Sequence, residues 1–247
     1  GTMSTSKRGE KLKTLRGIGE NEIGLLSNAR CLSEGVDVPS LDGVAFIDPK
    51  NSQVDIIQAV GRAIRLSDEK DVGTIVLPVF IEDGEDPVTR IEESNFQPVW
   101  WVLDALKAHD DVLVDELDTI RTDMGKRGAT TARPGGIAKV EVDLPASVGA
   151  LFADSLTTYL VEQTTASWNF WYGLLEKYQI RNGHCNVPRG HKEDNYKLDV
   201  WITTQRSKKD SILPDRRQRL DEIGFDWGPH ATAWEVGFAA LLIFKER

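Results

Sequence analysis

Three polar residues, Gln58, Arg62 and Arg65, have the side chains and the spacing of a phosphate-binding group. They stand at positions i, i+4 and i+7, which share one stripe of an α-helix. The neighbouring stripe is apolar and can pack on a sheet; its members are Val54, Ile57, Gly61 and Ile64. Guanidinium groups held rigidly in this way match the charged oxygens of a phosphoryl group in transfer. The alternative is a surface helix with two solvated arginines.

A turn upstream of this helix suits a nucleotide as well. The stretch Leu32-Ser-Glu-Gly-Val-Asp-Val-Pro39 follows a predicted strand. Gly35 permits close approach of the backbone, Asp37 offers an acceptor for a ribose hydroxyl, and Pro39 fixes the exit of the turn. By itself, the same stretch is typical of an ordinary turn at the end of a strand.

The pattern around these two segments predicts the α/β layer that would position them. We expect a polar helix over 4–17, strands over 22–28, 43–48 and 73–81, and a helix over 52–65 that carries Gln58. The near-continuous apolar character of 43–48 suits a buried strand of a parallel sheet. Since no strand precedes the first helix, we expect a truncated layer. Two further helices are predicted, over 96–109 and 111–121.

The C-terminal half has the pattern of a small helical module. A Gly-, Thr- and Arg-rich loop over 123–136, a strand over 137–142 and a helix over 146–164 lead to it. Trp168, Trp171, Tyr172 and Leu175 have the i, i+3, i+4, i+7 spacing of one helix face. A second helix is expected over 195–209, and Pro214 opens a third. Because this spacing matches burial, we expect the tryptophans to form the core.

The first helix of the module begins again near the end of the chain. The pattern of Trp168 and Tyr172 recurs 66 residues later as Trp234 and Phe238. A repeat of this period predicts a tandem array of helical modules. The second copy stops after one helix, so we expect it to be truncated.

Composition limits the classes of function. No apolar run has the length of a membrane helix, no secretory signal is present, and the two cysteines form no disulfide framework, which together predict a cytoplasmic location. His184, Cys185 and His191 lack the spacing of a metal site, so none is predicted. The net charge is −9, yet residues 166–229 hold 11 Lys+Arg against 9 Asp+Glu. A phosphate-binding surface is therefore expected in this module; its candidate residues are Arg189, Arg206, Lys208 and Lys209.

Taken together, these segments resemble a known family. The stretch from Leu25 to Pro39, followed by Gln58-Ala-Val-Gly-Arg-Ala-Ile-Arg65, is similar to motifs V and VI in the second RecA-like lobe of superfamily 2 helicases of the bacterial restriction-enzyme type. Residues 166–229 resemble the helicase-associated domain. The predicted fold is α/β: a partial RecA-like lobe with a parallel sheet, followed by a small all-α three-helix module. The predicted domains are 1–122 (helicase lobe), 123–165 (linker), 166–229 (helicase-associated domain) and 230–247 (truncated repeat).

The resemblance assigns roles to individual residues. Arg62 and Arg65 match arginine fingers, and Gln58 matches the position that links nucleotide state to the cleft between the lobes. Gly35 and Asp37 match nucleotide contacts. Asn28 and Arg30 lie where the family touches the nucleic-acid backbone, although Ala29 departs from the threonine often found beside them. The resemblance further implies ATP with Mg²⁺, a first RecA-like lobe as partner, and nucleic acid, with DNA favoured over RNA.

Two elements of an ATP site are absent from the sequence. No G-x-x-x-x-G-K-[ST] loop occurs, and no Asp-Glu pair follows an apolar strand to hold Mg²⁺. We therefore expect the chain to hydrolyse no ATP by itself and to function within a parent helicase. The alternative is a non-catalytic nucleic-acid-binding or protein-interaction module in which the α/β part is a scaffold.

Overall fold

The computed structural model divides the chain into two units, residues 1–114 and 115–247. The described residues are 3–19, 22–27, 42–47, 54, 56, 58, 60, 61, 73–81, 86, 89, 91, 92, 94, 96–128, 136–144, 150–229, 234, 237, 238, 241, 242, 244 and 245.

The first unit begins with the predicted polar helix, α1 (Thr5–Arg16). The Ser4 side chain caps it by accepting a hydrogen bond from the Lys7 amide, and Gly17 closes it. The strand predicted over 22–28 is wrong for the described residues 22–27, which form no regular structure. Ile23 and Leu25 are exposed there, so the apolar side chains that suggested a strand bury nothing.

Two short parallel strands confirm the predicted sheet. Strand β1 (Gly43–Ala45) pairs with β2 (Thr74–Val76), and Val44 lies opposite Ile75. Both strands are shorter than predicted. β2 ends before Pro78, whose missing amide hydrogen prevents it from donating to a sheet ladder.

A helical segment packs against this sheet. The described residues within 54–61 are helical, and Ile56 and Val60 are buried. They form a core with Val102 and Ala105 of α2 (Gln97–Lys107), and partly buried residues close it, namely Phe46, Ile75, Leu77, Trp101 and Leu106. Helix α2 was predicted. Pro98 lies in its first turn, where the missing amide hydrogen of proline costs the helix no hydrogen bond.

The second unit is helical where it is described. It contains most of α3 (Asp111–Arg127) and all of α4 (Ala150–Thr164), α5 (Ser167–Asn182), α6 (Leu198–Ser207) and α7 (Pro214–Glu222). The loop predicted over 123–136 is wrong over 123–127, which belong to α3. The strand predicted over 137–142 is also wrong: Val140 N donates to Ile137 O in a turn, and the buried Ile137 anchors it.

Close contact between α3 and α5 explains why Gly125 lies in a helix. A Cβ on Gly125 would lie 2.0 Å from the carbonyl oxygen of Phe170, and a Cβ on Gly173 would lie 2.0 Å from that of Thr122. The two backbones touch, and only glycine allows that approach. The glycine at 125 therefore marks helix packing, whereas the sequence pattern suggested a loop.

Helices α5, α6 and α7 enclose an aromatic and aliphatic core. Its buried members are Trp168, Tyr172, Leu174, Leu175, Leu198, Ile202, Leu220 and Phe225. The indole of Trp168 donates to the side-chain oxygen of buried Gln205. Gly183 and Gly224 follow α5 and α7 with φ of 76° and 74°, a conformation that favours glycine. The predicted three-helix module is confirmed.

Candidate nucleotide and nucleic-acid sites

Gln58 lies on the outer face of the helical segment in the first unit. Its side chain is exposed, while Ile56 and Val60, two residues to either side, are buried against the sheet and α2. The packing of its neighbours thus turns Gln58 outward and leaves its side chain accessible. The other predicted nucleotide residues, Arg62, Arg65, Gly35 and Asp37, lie outside the described residues, as do Asn28 and Arg30.

Four arginines of the helical module pack against its aromatic rings. Arg216 and Arg219 lie over Trp168, Arg217 lies over Trp227, and Arg206 lies over Phe225; the distances from guanidinium carbon to ring centroid run from 4.2 to 5.4 Å. Contacts of this kind stabilise a fold by cation–π attraction and by burial of the side-chain stem. These arginines therefore have a structural role.

Arg219 has the largest set of contacts among them. Its guanidinium group donates to Asn169 Oδ1 at 2.9 Å and to Thr122 Oγ1 at 3.4 Å, and it lies 4.2 Å from the Tyr172 ring. The Tyr172 hydroxyl donates to the Arg219 carbonyl, and burial, together with Glu176, raises the pKa of Tyr172 to about 12. Arg219 joins α7 to α5 and α3.

Arg206, predicted as a nucleic-acid contact, is partly buried and bonded within the module. Its Nε donates to the carbonyl oxygen of Asp226 at 2.8 Å, which ties α6 to the turn after α7. Burial lowers the pKa of Arg206. Position 206 thus fixes the segment that carries Phe225 and Trp227.

Five other cations of the module are exposed and have no ion pair or side-chain hydrogen bond to any described residue; they are Arg189, Lys192, Lys197, Lys208 and Lys209. Three of them lie in the loop before α6, and two directly follow its last residue. Ten helical residues separate the groups, a length of about 15 Å. This set, which we call the exposed cations, includes three of the four predicted nucleic-acid contacts.

A buried carboxylate organises the loop that carries Arg189, Lys192 and Lys197. Glu193 is 3% exposed and accepts two hydrogen bonds of 2.8 Å from Arg181 of α5. His191 Nε2 lies 3.0 Å from the same carboxylate. Burial would raise the pKa of Glu193, but the hydrogen bonds from Arg181 and His191 outweigh burial, so the pKa lies below its usual value.

Aromatic rings form a cleft of about 210 Å³ in the second unit. Its walls are Phe170, Trp171 and Tyr196, with Arg121, Glu162 and Ser167 completing the lining. Tyr196 stands edge-on to both Phe170 and Trp171, at centroid distances of 4.9 and 5.8 Å. Trp171 is only partly buried and stacks on Trp201 at 6.4 Å. The prediction of core tryptophans is confirmed for Trp168, whereas Trp171 contributes to an open cleft.

Sequence reasoning missed the cleft and the buried Glu193. Helical spacing placed Trp171 on the correct helix, but the ring faces of the cleft come from α5 and from the loop at Tyr196. Arg121 and Glu162 come from two further helices, α3 and α4. No local pattern brings residues from four segments together.

Two family models match the chain. Residues 1–67 match the helicase conserved C-terminal domain, and residues 165–228 match the helicase associated domain. The first segment contains the helical residues around Gln58, and the second contains α5, α6 and α7. Together, these matches support a C-terminal fragment of a superfamily 2 helicase.

Individual relatives agree with this assignment. A probable helicase of African swine fever virus, in an isolate from Kenya, is 39% identical over 86 residues, which are 35% of this chain and 9% of the relative. Its counterpart in a South African isolate is 42% identical over 55 residues, which are 22% and 6% of the two chains. This chain thus spans less than a tenth of these curated relatives.

A solved structure has the same fold. The ATP-dependent Type ISP restriction-modification enzyme LlaBIII bound to DNA superimposes with a TM-score of 0.52 and 24% sequence identity, over 92% of this chain and 18% of that chain. The likeness supports a partial RecA-like lobe followed by a helical module. Among the described residues, no helix is long and apolar enough to cross a membrane.

Proposed function

We propose that this chain supplies the arginine-finger half of an ATP site and a nucleic-acid-binding helical module to an ATP-dependent helicase or translocase. The observation that carries the proposal is the exposure of Gln58 on a helical segment whose opposite face is buried against a parallel sheet. A packed support of this kind suits a residue that must respond to a nucleotide across a cleft.

In this proposal, two arginines stabilise the transferring phosphoryl group. Arg62 and Arg65 follow Gln58 at four and seven residues and would neutralise charge that develops on the γ-phosphate. Gly35 and Asp37 would contact the nucleotide, and ATP with Mg²⁺ would supply the energy of translocation. The phosphate-binding loop and the Mg²⁺ ligands would come from a first RecA-like lobe, because the sequence contains neither. We infer that this chain alone has no ATPase activity.

Nucleic acid would bind through two surfaces. Asn28 and Arg30 are proposed backbone contacts of the helicase lobe, and the exposed cations are proposed phosphate contacts of residues 166–229. The linker at 123–165 and the repeat at 230–247 complete the proposed organisation. DNA is the favoured polymer, since the similar restriction-modification enzyme is bound to DNA, and a cytoplasmic location is proposed with it.

The finger assignment is tested in the parent protein. Arg62→Ala should lower nucleic-acid-stimulated ATP turnover by about 10³- to 10⁵-fold and leave binding of the strand nearly unchanged. Arg62→Lys is the matched control that keeps the charge. It should recover little of the ATP turnover, because an ammonium group lacks the planar guanidinium fork. ATPase activity that survives Arg62→Ala would refute the finger role.

The nucleic-acid surface is tested with the full chain. Fluorescence anisotropy across a salt series gives the slope of log affinity against log salt, and each phosphate contact adds about 0.9 to its magnitude on duplex DNA. The double variant Lys208→Gln/Lys209→Gln should lower the slope by about 2. Lys11→Gln/Lys13→Gln on α1 removes the same charge from exposed positions of the first unit and should leave the slope unchanged. Equal slopes for both double variants would contradict the assignment.

A further inference from the structure

We propose that the aromatic cleft formed by Phe170, Trp171 and Tyr196 receives one unpaired nucleobase of a bound single strand. The inference rests on the proposed nucleic-acid function and adds to it a base-binding site beside the exposed cations. Four features of the described residues support it: the size of the cleft, its ring geometry, its polar wall and the charges beside it.

The cleft has the size and the faces for one planar ring. Its volume of about 210 Å³ is below the roughly 300–1,000 Å³ of sites for drug-sized ligands, so a whole nucleotide cofactor is too large for it. Trp171 and Tyr196 meet at an interplanar angle of 84°, which gives an inserted ring one face to stack on and one edge to contact. Aromatic rings bind bases of any sequence by stacking, since every base has a π-face.

One wall of the cleft is polar and is formed by Arg121 and Glu162. The Arg121 side chain is 11% exposed, lies 5.1 Å from the Phe170 ring, and donates through one terminal nitrogen to Glu162. Its Nε is buried and has no hydrogen-bond partner among the described residues. The guanidinium group of Arg121 lines the cleft and offers donors for a ring nitrogen or carbonyl oxygen of a base. The Glu162 carboxylate offers an acceptor for an exocyclic amino group.

The charges beside the cleft suit a phosphate backbone. Glu193 and Tyr196 form an antiparallel bridge, and the exposed Lys192 and Lys197 flank it in sequence. The Tyr196 ring is therefore held at the cleft while adjacent residues present positive charge to solvent. In this proposal, a strand whose phosphates contact these lysines places one base near the Tyr196 ring. Because a base must leave its stack to enter, the site favours single strands over duplex.

The test compares two single-stranded oligonucleotides of equal length and charge with the full chain at low salt. One carries bases throughout, and the other is abasic. Stacking of one base is worth about 1–3 kcal/mol, so the abasic strand should bind roughly 5- to 150-fold more weakly. Equal affinity for both strands would overturn the base site while leaving phosphate binding intact. Failure of both strands to bind would instead refute the nucleic-acid function on which the inference rests.

A matched pair of variants locates the effect. Tyr196→Leu should abolish the preference for the base-bearing strand, whereas Tyr196→Phe, which keeps the ring, should retain it. Affinity for the abasic strand should be the same in both variants and the wild type, which shows that the module remains folded. A preference that persists in Tyr196→Leu would place the base elsewhere and refute the cleft as its site.

Discussion

Replacing Glu193 with glutamine tests whether a buried ion pair holds the loop that carries three exposed cations. The carboxylate is 3% exposed and accepts two 2.8 Å hydrogen bonds from Arg181 and one contact of 3.0 Å from His191. Glu193→Gln keeps the volume and one acceptor oxygen but turns an amide NH₂ toward a guanidinium donor. Hydrogen bonds to charged groups contribute about 1.5–3 kcal/mol each. Arg181 is half exposed and can rehydrate, so the net loss should be about 2–3 kcal/mol.

The pH dependence of this loss has a defined sign. The pKa of folded Glu193 lies below its usual value of 4.5, so the folded state binds this proton less readily than the unfolded state. The stability from the ionised carboxylate is therefore fully present above about pH 4.5 and is lost as pH falls through the folded pKa. Glu193→Gln has no proton to gain at this position. The difference in stability between wild type and variant should be largest near pH 7 and should shrink below pH 4.5.

Urea unfolding followed by tryptophan fluorescence measures this difference at both pH values. Glu222→Gln is the matched control, because Glu222 is an exposed carboxylate on α7 that accepts one hydrogen bond from Gln218. Glu222→Gln should change the free energy of unfolding by no more than about 0.5 kcal/mol at either pH. A Glu193→Gln cost of the same size, or a cost that does not change with pH, would show that the ion pair does not hold the loop.

Three further outcomes follow from packing. Gly173→Ala should lower the free energy of unfolding in urea by about 3 kcal/mol or more, because the added carbon meets a backbone carbonyl at 2.0 Å. Gly9→Ala in α1 meets nothing and should raise it by up to about 1 kcal/mol. Equal effects would refute the close helix contact. Burial raises the pKa of Cys185 to about 11. Alkylation of this residue at pH 8, measured by mass spectrometry, should therefore be slow in the folded chain and fast in urea. Rapid labelling of the folded chain would contradict the burial of Cys185. Arg219→Lys should lower the free energy of unfolding in urea by about 1–2 kcal/mol, because lysine loses the ring stacking and the forked hydrogen bonds. Arg189→Lys, at an exposed position, should have no measurable effect. An unchanged stability of Arg219→Lys would refute the structural role of Arg219.

Local patterns predicted most of the helices. Helix α1 has its cap and its terminal glycine in the sequence, α5 has a regular aromatic spacing, and α7 begins at Pro214. Each of these signals lies within the element that it defines. The parallel pair β1 and β2 was predicted as well, because the alternation of strand, helix and strand leaves few other arrangements.

Two local patterns gave wrong predictions where distant contacts decide the structure. An apolar run at 22–28 suggested a strand, although Ile23 and Leu25 are exposed in the structure. The Gly-, Thr- and Arg-rich composition of 123–136 suggested a loop, whereas Gly125 lies in a helix whose backbone closely approaches that of Phe170 on another helix. Glycine has both uses, and only the tertiary neighbour distinguishes them.

The candidate sites were predictable to different degrees. The spacing of Gln58, Arg62 and Arg65 gave a face of one helix, and the structure shows Gln58 on the exposed side of a packed segment. The cleft at Tyr196 could not be found in this way, because Arg121, Glu162 and Trp171 come from three different helices. The count of charged residues identified the basic module but could not distinguish the arginines that pack on aromatic rings from the cations that are exposed.

That separation changes what the charge of the module implies. Residues 166–229 contain 11 lysines and arginines. Lys177 and Arg181 pair with Asp194 and Glu193, and four arginines pack on aromatic rings. Within the described part of this module, the five exposed cations are the ones that have neither an ion pair nor a ring contact. If each neutralises one phosphate, its salt slope on duplex DNA should not exceed a magnitude of about 4.5. A steeper slope requires further contacts, and the helicase lobe is the segment where Asn28 and Arg30 are proposed to provide them.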